Sequence, residues 1–117
     1  MGAVNDCIFC KIAAGQIKSQ VVFEDQRVMA FRDVSPQAPV HILIIPKKHI
    51  DRLSAMAEED LSLVVDIHRT ARLLAEQEKL VSSGFRLVTN DGKDSGQTVQ
   101  HMHFHLLGGR KLSWPPG

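Results

Sequence analysis

The chain has no tyrosine, one tryptophan and five phenylalanines among its 117 residues. So few rings leave little surface on which a run of bases can stack, which argues against a single-strand nucleic-acid binder. An excess of either charge is also missing, since 14 basic and 13 acidic residues leave a formal charge of +1. Proteins that bind polyanions carry a basic excess or stripe. The expected partner is therefore a small anion, and nucleic acid is not expected. No apolar stretch approaches the roughly 18 residues of a membrane-spanning helix, so no membrane partner is expected. The first twenty residues carry Asp6, Lys11 and Lys18 and hold no run like the core of a signal peptide. Cysteine is limited to Cys7 and Cys10, too near one another in the chain to staple a domain. The expected compartment is the cytoplasm, where thiols stay reduced.

What is present suits one globular domain, residues 1–117, with 44% hydrophobic and 23% charged residues. Cys7 to Gly15 reads as one or two helical turns ended by glycine. Val21–Glu24 and Val28–Arg32 are β-prone, with Asp25-Gln26 between them short enough for a hairpin although it lacks the usual glycine. Pro36 and Pro39 forbid regular structure from Asp33 to Pro39. His41 to Ile45 then reads as a buried central strand stopped by Pro46. From Glu58 to about Lys79 the period becomes helical. Leu61, Val64, Val65, His68, Ala71 and Ala75 form a stripe that Leu63, Ile67 and Leu74 widen, with Glu58, Glu59 and Asp60 in the first turn. On that stripe His68 is expected to be a core or interface residue without catalytic duty. Phe85–Thr89 and Val99–Leu107 read as the last two strands. The expected fold is a single α+β domain with a mainly antiparallel five-stranded sheet, one long helix and one short N-terminal helix.

Chemistry concentrates in Gly96-Gln97-Thr98-Val99-Gln100-His101-Met102-His103-Phe104-His105-Leu106-Leu107. On a strand, alternate side chains face opposite ways. Met102, Phe104 and Leu106 then enter a core, while His101, His103 and His105 form a row with a spacing of about 6.6 Å. Three imidazoles in strict alternation suit either a metal site or nucleophilic and proton-transfer chemistry. The donors just upstream, Asn90, Gly92, Gly96, Gln97 and Thr98, suit phosphate oxygens. No carboxylate lies in the histidine segment to support metal-bound imidazoles, so phosphate chemistry is favoured.

The run Gln97 to Leu107 resembles the signature of the histidine triad superfamily. Phe31 to Pro39 resembles that family's nucleoside-side loop, and His41 to Ile50 its central strand. The tail from Gly108 to Gly117, with Trp114-Pro115-Pro116, resembles the histidine triad nucleotide-binding branch. The resemblance implies a hydrolase that cleaves the P–N bond of purine nucleoside phosphoramidates, AMP conjugates among them, through a covalent nucleotidyl-histidine. It implies His103 as nucleophile and His105 and Gln97 on phosphate oxygens, joined by Asn90, Gly96, Thr98 and Val99. His41 and His101 complete the catalytic group as a supporting layer. Asp33 is implied as the ribose ligand, with Phe9, Ile12, Phe31 and Val34 as an apolar slot for the base. A two-fold homodimer is implied, with Trp114 reaching toward the partner's site. No cofactor is implied for catalysis.

Plainer readings stand beside these. Phe9, Ile12 and Phe31 suit an ordinary core, Asp33 suits a turn before Val34-Ser35-Pro36, and Asn90-Asp91-Gly92 is a common turn. Cys7 and Cys10 are either two reduced thiols in a short helix or half of a structural zinc site. Some relatives complete such a site with positions matching His49 and His101. The alternative functions are a metal-dependent hydrolase built on the histidine row and a nucleotide-binding regulatory module whose output is a protein interaction.

Overall fold

The short apolar runs form strands because each is bounded by turn chemistry that ends it. The computed structural model describes residues 6–117. Its strands are β1 (Val21–Glu24), β2 (Val28–Arg32), β3 (Val40–Pro46), β4 (Phe85–Thr89) and β5 (Phe104–Gly108), and its α-helices are α1 (Ile8–Ala13) and α2 (Ser62–Gln77). The sheet order is β1-β2-β3-β5-β4, with every neighbouring pair antiparallel. This is the expected α+β architecture, with β3 in the middle. The hairpin without glycine closes because Asp25 Oδ1 accepts from the main-chain N–H groups of Arg27 and Val28, both at 2.8 Å.

Period-2 alternation in β2 and β3 separates two cores. Val28, Ala30, Ile42 and Ile44 face α2, together with Met102, Phe104 and Leu106. Met29, Phe31, Leu43 and Ile45 face α1 and pack with Phe9 and Ile12. Both faces of the central strands are therefore covered, which explains why these segments read as continuous apolar runs.

Three expectations need correction. First, the core face of α2 is Leu63, Ile67, Thr70, Ala71, Leu74 and Ala75, whereas Leu61, Val65 and His68 are exposed. The apolar stripe is wider than the sheet can cover, so one flank remains outside. His68 is accordingly not a core residue; its Nδ1–H donates to the Val64 carbonyl at 2.7 Å. Second, Glu58–Asp60 form a separate 3₁₀ turn, leaving no acidic residue in the first turn of α2. Third, the last strand begins at Phe104 instead of Val99. Its ladder to β3 ends at the Ile44–Phe104 pair, so residues 101–103 lie beyond the regular sheet.

Candidate active site

Although His101 and His103 precede the regular strand, the alternation of faces persists through them. Met102 is buried in the α2-side core, while His101 and His103 are buried on the α1 side. The main-chain N–H of Met102 donates to the Ile50 carbonyl at 2.6 Å, and His101 Nε2–H donates to the Pro46 carbonyl at 2.8 Å. These bonds replace the missing ladder. The His103 and His105 rings lie 5.0 Å apart between centroids, and His41 from β3 lies 5.1 Å from His105.

Hydrogen bonds assign the protons of this group. His103 Nδ1 faces the His101 carbonyl at 2.7 Å. A carbonyl only accepts, so Nδ1 carries the hydrogen and Nε2 keeps its lone pair. His41 Nδ1 accepts from the Gln37 main-chain N–H at 3.0 Å, which places the His41 hydrogen on Nε2. That Nε2–H lies 2.9 Å from His105 Nδ1 and 3.4 Å from Asp33 Oδ2. His105 Nδ1 therefore accepts, and His105 presents Nε2–H as a donor. Burial lowers the pKa of His103 and His41 below the ordinary histidine range. Burial, with the neighbouring His103 and His41, takes His105 to about 4. The group is thus neutral near pH 7, and the free Nε2 lone pair of His103 and the Nε2–H of His105 lie on distinct rings.

The His105 shift has a measurable consequence for stability. Its unfolded ring binds a proton below about pH 6.5, whereas its folded ring does not until about pH 4. Between those limits the unfolded state binds more protons, so stability falls as pH falls. The ring is partly solvated, so the expected loss between pH 7 and pH 5 is about 1 kcal/mol from this residue. Urea titrations at both pH values are expected to show a smaller pH effect in His105→Gln by that amount. An equal pH effect in both proteins would refute the assignment.

His103 and His105 open onto a cleft of about 300 Å³. Phe9, Ile12, Phe31, Val34 and Leu43 make its apolar wall, and Asp33, Thr98 and Val99 its rim near the histidines. The proposed base-slot residues thus share one wall, although Phe9, Ile12 and Phe31 are also core residues, as the plainer reading held. Asp33 serves the turn as well, since its Oδ1 accepts from the Ser35 N–H at 2.8 Å while Oδ2 faces His41.

Asn90, Gly96, Gln97 and Trp114 do not line this cleft. Gln97 is buried with its polar atoms already engaged. Its Nε2 donates to the Asp51 and Val99 carbonyls at 2.7 and 3.1 Å, and its Oε1 accepts from Gly92 N–H at 2.8 Å. With these three bonds its side chain acts as a strut for the loop. Gly92 and Gly96, at φ +88° and +89°, supply the left-handed turns that the loop needs. Trp114 is 80% exposed on its own chain. Sequence reasoning missed Ile17, Lys18 and Ser19, which also line the cleft. They carry no periodic signal, and only the turn after α1 brings them there.

A second cluster lies behind the histidines. Cys7 Sγ and Cys10 Sγ are 3.3 and 3.5 Å from His101 Nδ1, and Cys10 Sγ is 3.2 Å from His49 Nδ1. The four ligand atoms fall within 4.8 Å of one another. His101 Nε2–H is held by the Pro46 carbonyl and His49 Nε2–H by Asp51 Oδ1 at 2.9 Å, so both Nδ1 lone pairs face the sulfurs. Burial, then Cys7, pushes the Cys10 thiol up to about 11, which favours its protonated form unless a cation is present. Two thiols, two imidazole lone pairs and outer partners on both rings fit a four-coordinate zinc-type ion. The supporting carboxylate that the histidine segment lacks comes from Asp51, distant in the chain.

Residues 14–112 match the model of the HIT domain family. A HIT-like protein of Synechococcus elongatus is 50% identical over 113 residues, covering 97% of this chain and 98% of the relative. A crystal structure of a HIT family hydrolase from Legionella pneumophila is 52% identical, with a TM-score of 0.93 over 96% of this chain and all of the other. A histidine triad nucleotide-binding protein from Candida albicans is 32% identical, with a TM-score of 0.79 over 94% of this chain and 83% of the other.

Proposed function

Because the chain belongs to the HIT domain family, we propose that it is a nucleotide hydrolase that splits the P–N bond of purine nucleoside phosphoramidates. The observation that carries this reading is the pairing of a lone pair on His103 Nε2 with a proton fixed on Nδ1 by the His101 carbonyl. Attack of Nε2 on the α-phosphorus forms a P–N bond to His103 and breaks the P–N bond to the amine, which takes up a proton from solvent as it leaves. The His103 ring gains positive charge in that step, and the carbonyl dipole at 2.7 Å from Nδ1 stabilises it. Water then attacks the nucleotidyl-histidine, losing a proton to solvent, releasing the nucleoside monophosphate and restoring the free ring. His105 Nε2–H, held in that tautomer by His41, donates to a phosphate oxygen. Asp33 receives the ribose hydroxyls, and the wall of Phe9, Ile12, Phe31 and Val34 holds the base. The hydrolase names of neighbouring structures and the nucleotide-binding name of the Candida protein support this assignment.

Cys7, Cys10, His49 and His101 are proposed to hold zinc, which when bound has a structural chemistry with no open coordination position. A two-fold homodimer is proposed as well. It is supported by the uncovered flank of α2, with Leu61 and Val65, and by exposed Phe85 on the edge strand β4 and Trp114 on the tail. A cytoplasmic location accords with reduced thiols, and among the described residues no helix is long and apolar enough to cross a membrane.

The test is a brief reaction with an adenosine phosphoramidate, quenched and digested for mass spectrometry. The expected result is one added nucleotidyl mass on the peptide containing His103, with release of amine and AMP. Amine release with no adduct at the shortest times, or an adduct on another residue, would reject this pathway.

A further inference from the structure

The sulfur–imidazole cluster and the cleft meet at one residue. His101 turns Nδ1 toward both thiols and donates Nε2–H to Pro46, while its main-chain carbonyl accepts the His103 Nδ1–H. Displacing His101 therefore displaces the group that orients the His103 ring. A second connection runs through α1. Cys7 and Cys10 bracket Phe9, whose ring meets His103 edge-on at 5.0 Å and His101 at 5.9 Å between centroids. This helix has six residues, far fewer than a helix needs to persist without tertiary support. The segment from Gln97 to His103 also lacks a strand ladder, so its geometry rests on a few side-chain and loop bonds. Beside the apolar packing of α1, two weakly self-supporting segments and the His49 loop after β3 thus meet at four donor atoms.

We propose that Cys7, Cys10 and His49 are positioning residues for the nucleophile, acting through the His101 carbonyl and the Phe9 ring. When the four donors share a zinc-type cation, α1 and residues 97–103 become one unit. His103 then faces the α-phosphorus with Nε2 in line. Without that link, α1 and His101 move independently and the imidazole samples other orientations. Cys7, Cys10 and His49 touch neither substrate nor reacting atoms; they act on rate by fixing a neighbour. A misplacement of about 1 Å in a reacting group costs on the order of 100-fold in rate. The proposal rests on His103 as nucleophile and on the four donors as a cation site.

The experiment compares the zinc-loaded full chain with Cys10→Ala, Cys10→His and Phe9→Leu. Zinc per chain is measured after gel filtration, the His103 Nδ1–H resonance is followed by NMR, and nucleotidylation is timed in single turnovers. Cys10→Ala is expected to lose zinc, lose the sharp His103 proton signal and react about 100-fold more slowly, with KM changed by less than about threefold. Cys10→His restores a ligand and is expected to recover zinc, signal and most of the rate. Phe9→Leu is expected to keep zinc while losing rate. Reversible removal of zinc from the wild type repeats the first comparison without a mutation, so a misfolded variant does not decide the matter.

If zinc binds and its removal leaves the His103 signal and the rate within twofold, the positioning role is overturned. If the wild type takes up no zinc, the cation site and the proposal both fall. If the His103 proton responds to zinc but no phosphoramidate is cleaved, positioning stands and the proposed activity falls.

Discussion

His103→Ala is expected to lower turnover of an adenosine phosphoramidate by roughly 10,000-fold while leaving nucleotide affinity within a few-fold. The size follows from the other imidazoles of the site, none of which turns a free lone pair toward the cleft. His105 has its Nδ1 lone pair occupied by His41 Nε2–H and offers only a donor. His41 has its lone pair occupied by Gln37 N–H. His101 turns its lone pair toward the thiols, away from the cleft. On the proposed mechanism, removing His103 removes the covalent route, and what remains is the rate of water attacking a bound substrate. Affinity is expected to change little because the proposed contacts to ribose and base, Asp33 and the apolar wall, are left intact. The measurement is kcat for both proteins together with nucleotide binding by calorimetry. Turnover above one-tenth of wild type would eliminate His103 as the nucleophile.

The elements that could be read in the sequence are those whose own residues decide them. β1 and β2 meet at a turn made by the nearby Asp25, and the observed limits of β1, β2 and β4 match the β-prone runs. β5 was harder because Val99 to Phe104 alternates like a strand while its pairing depends on both neighbouring strands. Its ladders end at the Ile44–Phe104 and Thr89–Phe104 pairs although β3 continues to Pro46, and no local feature of residues 99–103 records it. The phase of α2 failed for a related reason, since an apolar stripe wider than one contact surface cannot reveal which flank the sheet will cover.

The site divides along the same line. Alternation placed His101, His103 and His105 opposite the main core even where the ladder is absent. Their roles, however, are set by groups far along the chain: Pro46 for His101, Gln37 and Asp33 around His41, and Asp51 beside His49. Gln97 illustrates the limit most clearly. Its amide is a good phosphate donor in the abstract, yet the fold directs that amide to the Asp51 and Val99 carbonyls. Composition could list the donors, while only tertiary structure could show which of them remained free.

His41→Ala is expected to reduce kcat by roughly 100- to 1,000-fold, with KM nearly unchanged, although His41 does not line the cleft. Its Nε2–H is the group that makes His105 Nδ1 an acceptor and so places the other hydrogen toward the phosphate. With alanine at 41, His105 is free to carry its proton on Nδ1, and Nε2 then presents a lone pair to an anionic oxygen. A favourable donor becomes a repulsive acceptor at the point where charge accumulates. Asp33 also loses its imidazole neighbour, but its contact with Ser35 N–H persists, so ribose binding should survive. His41→Gln supplies an amide donor toward His105 and is expected to recover at least tenfold over alanine. Nitrogen chemical shifts of His105 should report the Nε2–H tautomer in wild type and in the glutamine variant, and a mixture in alanine. Should alanine retain kcat within threefold, or should glutamine prove no better than alanine, tautomer control by His41 is wrong. The donor on phosphate must then be sought among Thr98 and the main-chain groups of the rim.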